Sequence, residues 1–419
     1  MATLAIRKSS LYSLFIVLLL TTEFYYIELG GGVARLYHFV AVWLVLISSI
    51  AVPQLFKSNI YRFLLIFFII NLFAAALSDS PAEAFASLTS FMANIAIIMA
   101  VALAMTRKNI TIENFSNLLL VVTSISIIWS LVQIMGFRVG LVLGLSEQQD
   151  TQILIGFGPA FRTEANTFGK YLLLPFLFFL PLLVRSPRDR RLRLFYLLLL
   201  VGILSSFTRT AIVGLLTGGL FAFFWYSLRG KFSMVSSRIV SIALAVTLGL
   251  VLVSGGLVRI SDYAQHKLDT LFLQEEWTSG SSSAYRLEAM EAVINTALRD
   301  DKKLIIGNGW GQTYVYVRRL KVQAGGADVV NILGYAGLVG VTFYLLYTFV
   351  LLVTLSRVAR NRSNPELAAF AEGLLFAAVG MFVTGQMSGY LITPEYYLLL
   401  GASIYAGLTF RRLGPVQIV

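Results

Sequence analysis

Apolar runs of about twenty residues recur along almost the whole chain, and that spacing limits the possible folds more than any other feature. A helix needs roughly 20 apolar residues to cross the hydrocarbon layer of a bilayer. Twelve such runs are legible: Ser10–Leu29, Val33–Val52, Tyr61–Leu77, Ala84–Met105, Phe115–Met135, Thr167–Val184, Leu192–Phe207, Ala211–Trp225, Ile239–Gly256, Val329–Leu355, Leu367–Gln386 and Pro394–Phe410. The seventh and eighth read equally as one bent pair, because Ser205, Ser206, Thr208, Arg209 and Thr210 lie between them. A water-soluble domain carries about 25% charged residues. This 419-residue chain has 13%, and it is 58% hydrophobic. Too little polar surface remains to face water, so the expected fold is an all-α polytopic membrane protein of about 12 transmembrane helices. The run Leu11–Leu20 follows Arg7 and Lys8 as a signal peptide would. It lacks a small-residue cleavage site, so it reads as a retained span.

Basic residues collect in the cytoplasmic loops of membrane proteins. With the N-terminus inside, the inner loops hold 19 of the 33 basic residues against four acids (Glu113, Asp189, Glu366 and Glu372). The inner face then carries +15 and the outer face −3 of the net +12. The positive balance is therefore a topology signal, and nucleic acid is not expected as a partner. Both termini are expected in the cytoplasm of a plasma membrane. Residues 1–257 hold spans one to nine, and 329–419 hold spans ten to twelve. The one long polar segment, 258–328, forms an extracytoplasmic loop domain. No internal repeat with paired broken spans is evident, which weighs against the common transporter architectures. The chain has no cysteine, and its two histidines are His38 and His266. No disulfide, metal or cofactor is expected; His38 reads as a packing residue and His266 as a solvated one.

Within the outer segment, Ser281–Asp300 reads as a helix capped by Ser282 or Ser283, with Ala284, Leu287, Val293, Ile294 and Leu298 as its apolar stripe. Such a helix lies on the bilayer or on the spans, and Arg286 stands one turn into it. Gly307-Asn-Gly-Trp-Gly311 reads as a tight loop. It lacks the strand and helix context of a nucleotide fingerprint, so as a phosphate cradle it is weak.

Charges at span depth are costly and mark function. Five stand out: Arg162 and Glu164 in GPAFRTEANTFGKYLLLPF, Arg209 in SSFTRTAIVGLL, Arg286, and Asp328 at the entry of the tenth span. In this topology all five reach the outer face. Arginine offers a planar, always-charged fork that matches phosphate oxygens. Three arginines at one cavity suit a diphosphate-linked lipid, and they would stabilise the charge of a departing diphosphate. A carboxylate must then take the proton of an acceptor hydroxyl, and Glu164 and Asp328 are available. Each residue also has a plainer reading. Arg209 can snorkel to the interface, Arg162 and Glu164 can anchor locally, and Asp328 can cap its helix. Lys170 is either a fourth cation or a snorkelling side chain. Trp277, Tyr285, Trp310, Tyr314 and Tyr316 stack on sugars or form an interfacial belt. Arg318, Arg319 and Lys321 read mainly as a solvated face.

The pieces FRTEANTFGKYLLLP, SFTRTAIVGLL and GADVVNILGYAGLVGVTFYLLY, set around a late outer loop, resemble the O-antigen ligase and polymerase superfamily of membrane glycosyltransferases. The resemblance in motif covers roughly residues 161–347. It implies a metal-independent, inverting transferase in the bacterial inner membrane, using undecaprenyl-diphosphate-linked oligosaccharide at its outer face. Arg162, Arg209 and Arg286 then hold the diphosphate, with Lys170, Tyr285 and Trp310 beside the substrate and Asp328, Glu164 and Arg286 catalytic. A chain-length-regulating co-polymerase is an implied partner. Ligases of the family carry a histidine just before the tenth-span motif, where this chain has Asp328. That departure tilts the expectation to a polymerase, with a ligase as runner-up and a flippase for the same lipids as the reading from another class.

Overall fold

The computed structural model describes residues 2–22, 26–29, 32–146, 149–150, 153, 158–162, 164–186, 188–206, 208–229, 282–312, 314–317, 320–323, 326–361, 363–391 and 393–413. The expected ninth span and the whole outer segment before Ser282, with His266 and Trp277, lie outside these residues, as do the side chains of Arg209, Tyr285, Tyr314, Tyr316 and Lys321; Arg318 and Arg319 also fall outside.

The described chain is a bundle of helices with two short hairpins. In order it runs α1 (Ala2–Thr21), β1 (Tyr26–Leu29), β2 (Gly32–Arg35), α2 (Leu36–Ile47), α3 (Val52–Leu55), α4 (Asn59–Ala76), α5 (Pro81–Thr106), α6 (Ile112–Arg138), α7 (Ala165–Arg185), α8 (Arg190–Ser206) and α9 (Arg209–Ser227). After residue 281 follow α10 (Ser282–Leu298), α11 (Asp301–Ile306), β3 (Tyr314–Val317), β4 (Leu320–Gln323), α12 (Asp328–Ala359), α13 (Pro365–Ser388) and α14 (Pro394–Leu413). Both hairpins are antiparallel.

Among the described residues seven helices are long and apolar enough to cross a membrane, or eight if the bent pair Leu36–Ile47 and Ser49–Leu55 is one span. The chain is thus a multi-pass, helical membrane protein. The first two apolar runs differ from expectation. Helix α1 stops at Thr21, and Tyr26–Leu29 leaves the run to pair with Gly32–Arg35. The second run bends by 72° after Ile47. Pro53 follows there, at the start of α3, where it has no amide proton to continue a helix.

Helices α7 and α13 form the centre. Both are buried on nearly all sides, as a helix apolar all round must be. Small residues let their backbones close up, which is how helices pack where lipid offers no hydrophobic drive. A side chain at Gly373 of α13 would overlap the Phe178 backbone of α7, and one at Gly380 would overlap Leu177 of α7 and approach the Gly214 backbone of α9.

The connecting loops sort into two ends. At one end the α4–α5 loop meets α11: Asp79 pairs with Lys303 at 2.7 Å, and the Asp79 amide donates to Asn308. The hydrogen bond from Lys303 holds the Asp79 carboxyl below its ordinary range. At the other end Arg411 donates to the Lys57 carbonyl, Arg412 to Gln54, and Arg185 to Glu372.

Helix α12 is broken at Gly337, which sits at φ 62° and ψ −163°, a region essentially closed to residues with a Cβ. The Gly307–Gly311 loop fits into this break. The amides of Asn308 and Gly309 donate at 2.9 Å to the carbonyls of Gly334 and Tyr335. That is what the glycine run does here: its amides pair with carbonyls of the interrupted helix. Replacing Gly337 by Ala would put a methyl onto the Ile305 backbone. The expected cost is about 2–4 kcal/mol from strain and overlap together, read as a drop in melting temperature of the purified protein.

The apolar stripe of α10 also differs from expectation. Ala289, Val293 and Ala297 face inward, while Leu287, Ile294 and Leu298 are exposed. The inward set follows i, i+4, i+8 spacing, because α10 packs on α12.

Candidate functional site

The turn between α13 and α14, Ser388–Thr393, is the point on which the polar groups at this end converge. Lys170, in the second turn of α7, donates its Nζ to the carbonyls of Ser388 at 2.7 Å and Gly389 at 3.1 Å. Asp328, the first residue of α12, takes the amides of Tyr390 at 2.8 Å and Leu391 at 3.3 Å on its Oδ1. The Lys170 amine thus holds the carbonyl side of the turn and the Asp328 carboxyl group holds the amide side. The Tyr390 hydroxyl donates back to the Lys170 carbonyl. A side chain on Gly385 would overlap the Asp328 carboxylate, so this position must stay bare for the carboxylate to reach the turn.

A third tie reaches the same turn from α2. The Arg35 amide donates to Nδ1 of His38. Nε2 therefore carries the proton and donates to Asn94 Oδ1 at 2.9 Å. Asn94 donates to Tyr397, whose hydroxyl donates to the Leu391 carbonyl at 2.6 Å. His38 is a hydrogen-bonded packing residue, as its sequence context suggested.

Arg162 lies just before α7 and is 2% exposed. Its guanidinium stands 3.3 Å from Glu395, in the first turn of α14, and 4.4 Å above the ring of Tyr171. The loop that brings it there is held by α6. Gln133 accepts from the Ala160 amide at 2.8 Å, and Ser130 donates to the Gly158 carbonyl at 2.6 Å. Gln149 donates to the Arg162 carbonyl at 2.6 Å. Ala160 sits at φ 54°, a strained angle for a residue with a side chain, and these side-chain amides hold it there. Strain of this kind persists where the surroundings over-determine it, commonly at functional sites.

Glu164 caps the start of α7, where its backbone exchanges hydrogen bonds with the Thr167 hydroxyl. Arg286 on α10 is half-buried. Arg286, Asp328, Glu395 and Glu164 all lie near enough to Lys170 to act on it electrostatically. Arg209 opens α9, and the neighbouring Thr208 hydroxyl donates to the Ala165 carbonyl at 3.2 Å. The first turns of α7 and α9 therefore meet. Five of the residues singled out in the sequence, Arg162, Glu164, Lys170, Arg286 and Asp328, thus gather at one end, together with the helix that Arg209 begins.

Three expectations change. Arg162 is inside the wall of this end, paired and stacked, and does not line an open cavity. Trp310 is 6% exposed. Its ring stacks on Phe91 at 4.4 Å and meets the tilted ring of Tyr335 at 5.0 Å, so it packs among protein rings and is not open to a sugar. Asp328 likewise holds a turn, where a helix cap or a free base was expected.

Glu395, Gln133, Gln149, Asn94 and Tyr390 were not singled out in the sequence. The usable signal was a polar side chain within an apolar run, which applies to Asn94, Gln133 and Glu395. No protein-family model matches the chain, and no curated protein does.

Proposed function

We propose that the protein is an inverting, metal-independent glycosyltransferase that polymerises undecaprenyl-diphosphate-linked oligosaccharide units into a surface polysaccharide such as O-antigen. In this reading it has about twelve spans in a bacterial inner membrane, with cytoplasmic termini and the site at the outer face. The observation that carries the reading is the gathering of Arg162, Glu164, Lys170, Arg286 and Asp328, with the start of the Arg209 helix, at one end of the bundle. These groups come from four separate stretches of sequence.

In the proposed reaction the acceptor hydroxyl oxygen attacks the anomeric carbon of the lipid-linked sugar. The bond from that carbon to the diphosphate oxygen breaks, and the diphosphate leaves with the electron pair. Arg209 and Arg286 hold the diphosphate and take up its growing charge. Arg162 acts through position: its pairing with Glu395 fixes the entry loop that carries Glu164. Of the two carboxylates, Glu164 takes the proton of the acceptor. It is half-buried, whereas Asp328 is 3% exposed and already accepts two amides. A general base has to come within hydrogen-bond reach of the proton it removes.

Purified protein in liposomes, supplied with a lipid-diphosphate oligosaccharide, is expected to give a ladder of lengthening products. A single adduct on a lipid A-core acceptor would make the protein a ligase. Transport of the lipid without any product would replace both readings by a flippase.

A further inference from the structure

At the end of the bundle opposite the site, the first turn of α4 and the last turns of α12 and α14 line an open cavity formed by Ser58, Asn59, Thr354, Arg357, Gly407, Phe410 and Arg411, of which Asn59, Arg357 and Arg411 are exposed. It has about 80 Å³ of water-accessible space. A single water needs roughly 10–15 Å³ of such space, so the cavity takes a group of several heavy atoms. Along α12, Arg357 lies 29 residues from Asp328, or roughly 40 Å at the rise of a helix. The cavity is thus separate from the site described above.

Three independent features give it one chemical preference. Two arginines line it, and among the described residues no carboxylate pairs with either. The amino end of α4, an 18-residue helix, borders it through Asn59; such ends carry partial positive charge and unused amides. Ser58 precedes that helix and is 3% exposed. Its hydroxyl does not cap α4 and makes no hydrogen bond to a described residue, and the residue lines the cavity. Its oxygen is not among the buried unpaired atoms, so it reaches the space of the cavity and is free to donate to a ligand oxygen there. Arg411 is already oriented, because its guanidinium donates to the Lys57 carbonyl.

The geometry points to a binding site for a phosphate group, held by Arg357, Arg411, the Ser58 hydroxyl and the first turn of α4. Guanidinium forks and helix amino ends both suit phosphate oxygens. Basic pockets between spans near the membrane surface take anionic lipid headgroups, and the same chemistry takes free phosphate.

The test uses the full-length protein in a neutral detergent, with melting temperature and native mass spectrometry as readouts. The probes are phosphatidylglycerol, phosphatidylcholine and inorganic phosphate. Wild type is expected to gain several degrees with phosphatidylglycerol or with phosphate, and little with phosphatidylcholine. A gain with phosphatidylglycerol alone identifies a lipid headgroup, and a gain with phosphate identifies the free ion. Asn59→Asp should weaken that binding about tenfold. It places a like charge at the cavity mouth while suiting the helix amino end, so loss of binding with an intact fold is readable. The double variant R357Q/R411Q should lose binding altogether, and Arg412→Gln, on the neighbouring arginine outside the cavity, should leave it unchanged. If neither anion shifts wild type, or if Asn59→Asp and R357Q/R411Q respond as wild type does, the site does not exist.

Discussion

Replacing Arg162 by Ala is expected to lower the stability of the purified protein by about 3–5 kcal/mol, the usual loss when one partner of a buried ion pair is removed. Both side chains of the pair are 2% exposed, so the carboxylate of Glu395 would remain in an apolar setting without its cation. Glu395→Ala should cost a similar amount for the mirror reason. The double variant R162M/E395L should recover much of the loss, because two apolar side chains of similar volume leave no charge uncompensated. Thermal melting of the four proteins in one detergent checks the pattern. A double variant as unstable as the sum of the singles would show that the pair is not the unit that matters. All three variants should also lose activity, because the pair fixes the loop that carries Glu164.

The second large effect concerns chemistry. Arg286→Ala and Arg209→Ala should each slow polymer formation by about 10²–10³-fold, the scale seen when one stabilising group at a developing anion is removed. Insertion and abundance should be unchanged. Arg286 is half-buried on a helix that packs against α12, and it has no role in the tightly packed centre. Arg286→Lys should restore only part of the rate, since an ammonium lacks the planar fork. Full-length polymer from Arg209→Ala at the wild-type rate would remove that residue from the proposed machinery.

How much of this was legible in the sequence depended on the kind of signal. Apolar runs gave the helical membrane class, because length and hydropathy are local properties. They gave boundaries less well: Tyr26–Leu29 is apolar enough to extend the first span, yet it pairs with β2. The break in α12 was hidden among Gly334, Gly337 and Gly340, since nothing local says which glycine departs from the helix. That Arg162, Glu164, Arg286 and Asp328 share one end followed from alternating loops, but their partners, and the place of Lys170 among them, did not. Glu395 looked like an ordinary acid at the start of the last span, and its buried pairing depends on a loop some 230 residues earlier. Trp310 read as a sugar-stacking or interfacial ring because it lies in a polar stretch, whereas the docking of its loop into α12 brings it onto Phe91 and Tyr335. These are tertiary outcomes, and a linear pattern of residue types does not carry them.

The central claim is that cationic groups at one end of the bundle hold a lipid diphosphate. Binding of undecaprenyl diphosphate to the purified protein tests it most directly, with undecaprenol as the uncharged comparison. The account predicts saturable binding of the diphosphate and at least tenfold weaker binding of the alcohol. It also predicts a loss of about tenfold or more in diphosphate affinity for Arg286→Ala. Equal affinity for the two lipids, or an unchanged affinity in that variant, would contradict it.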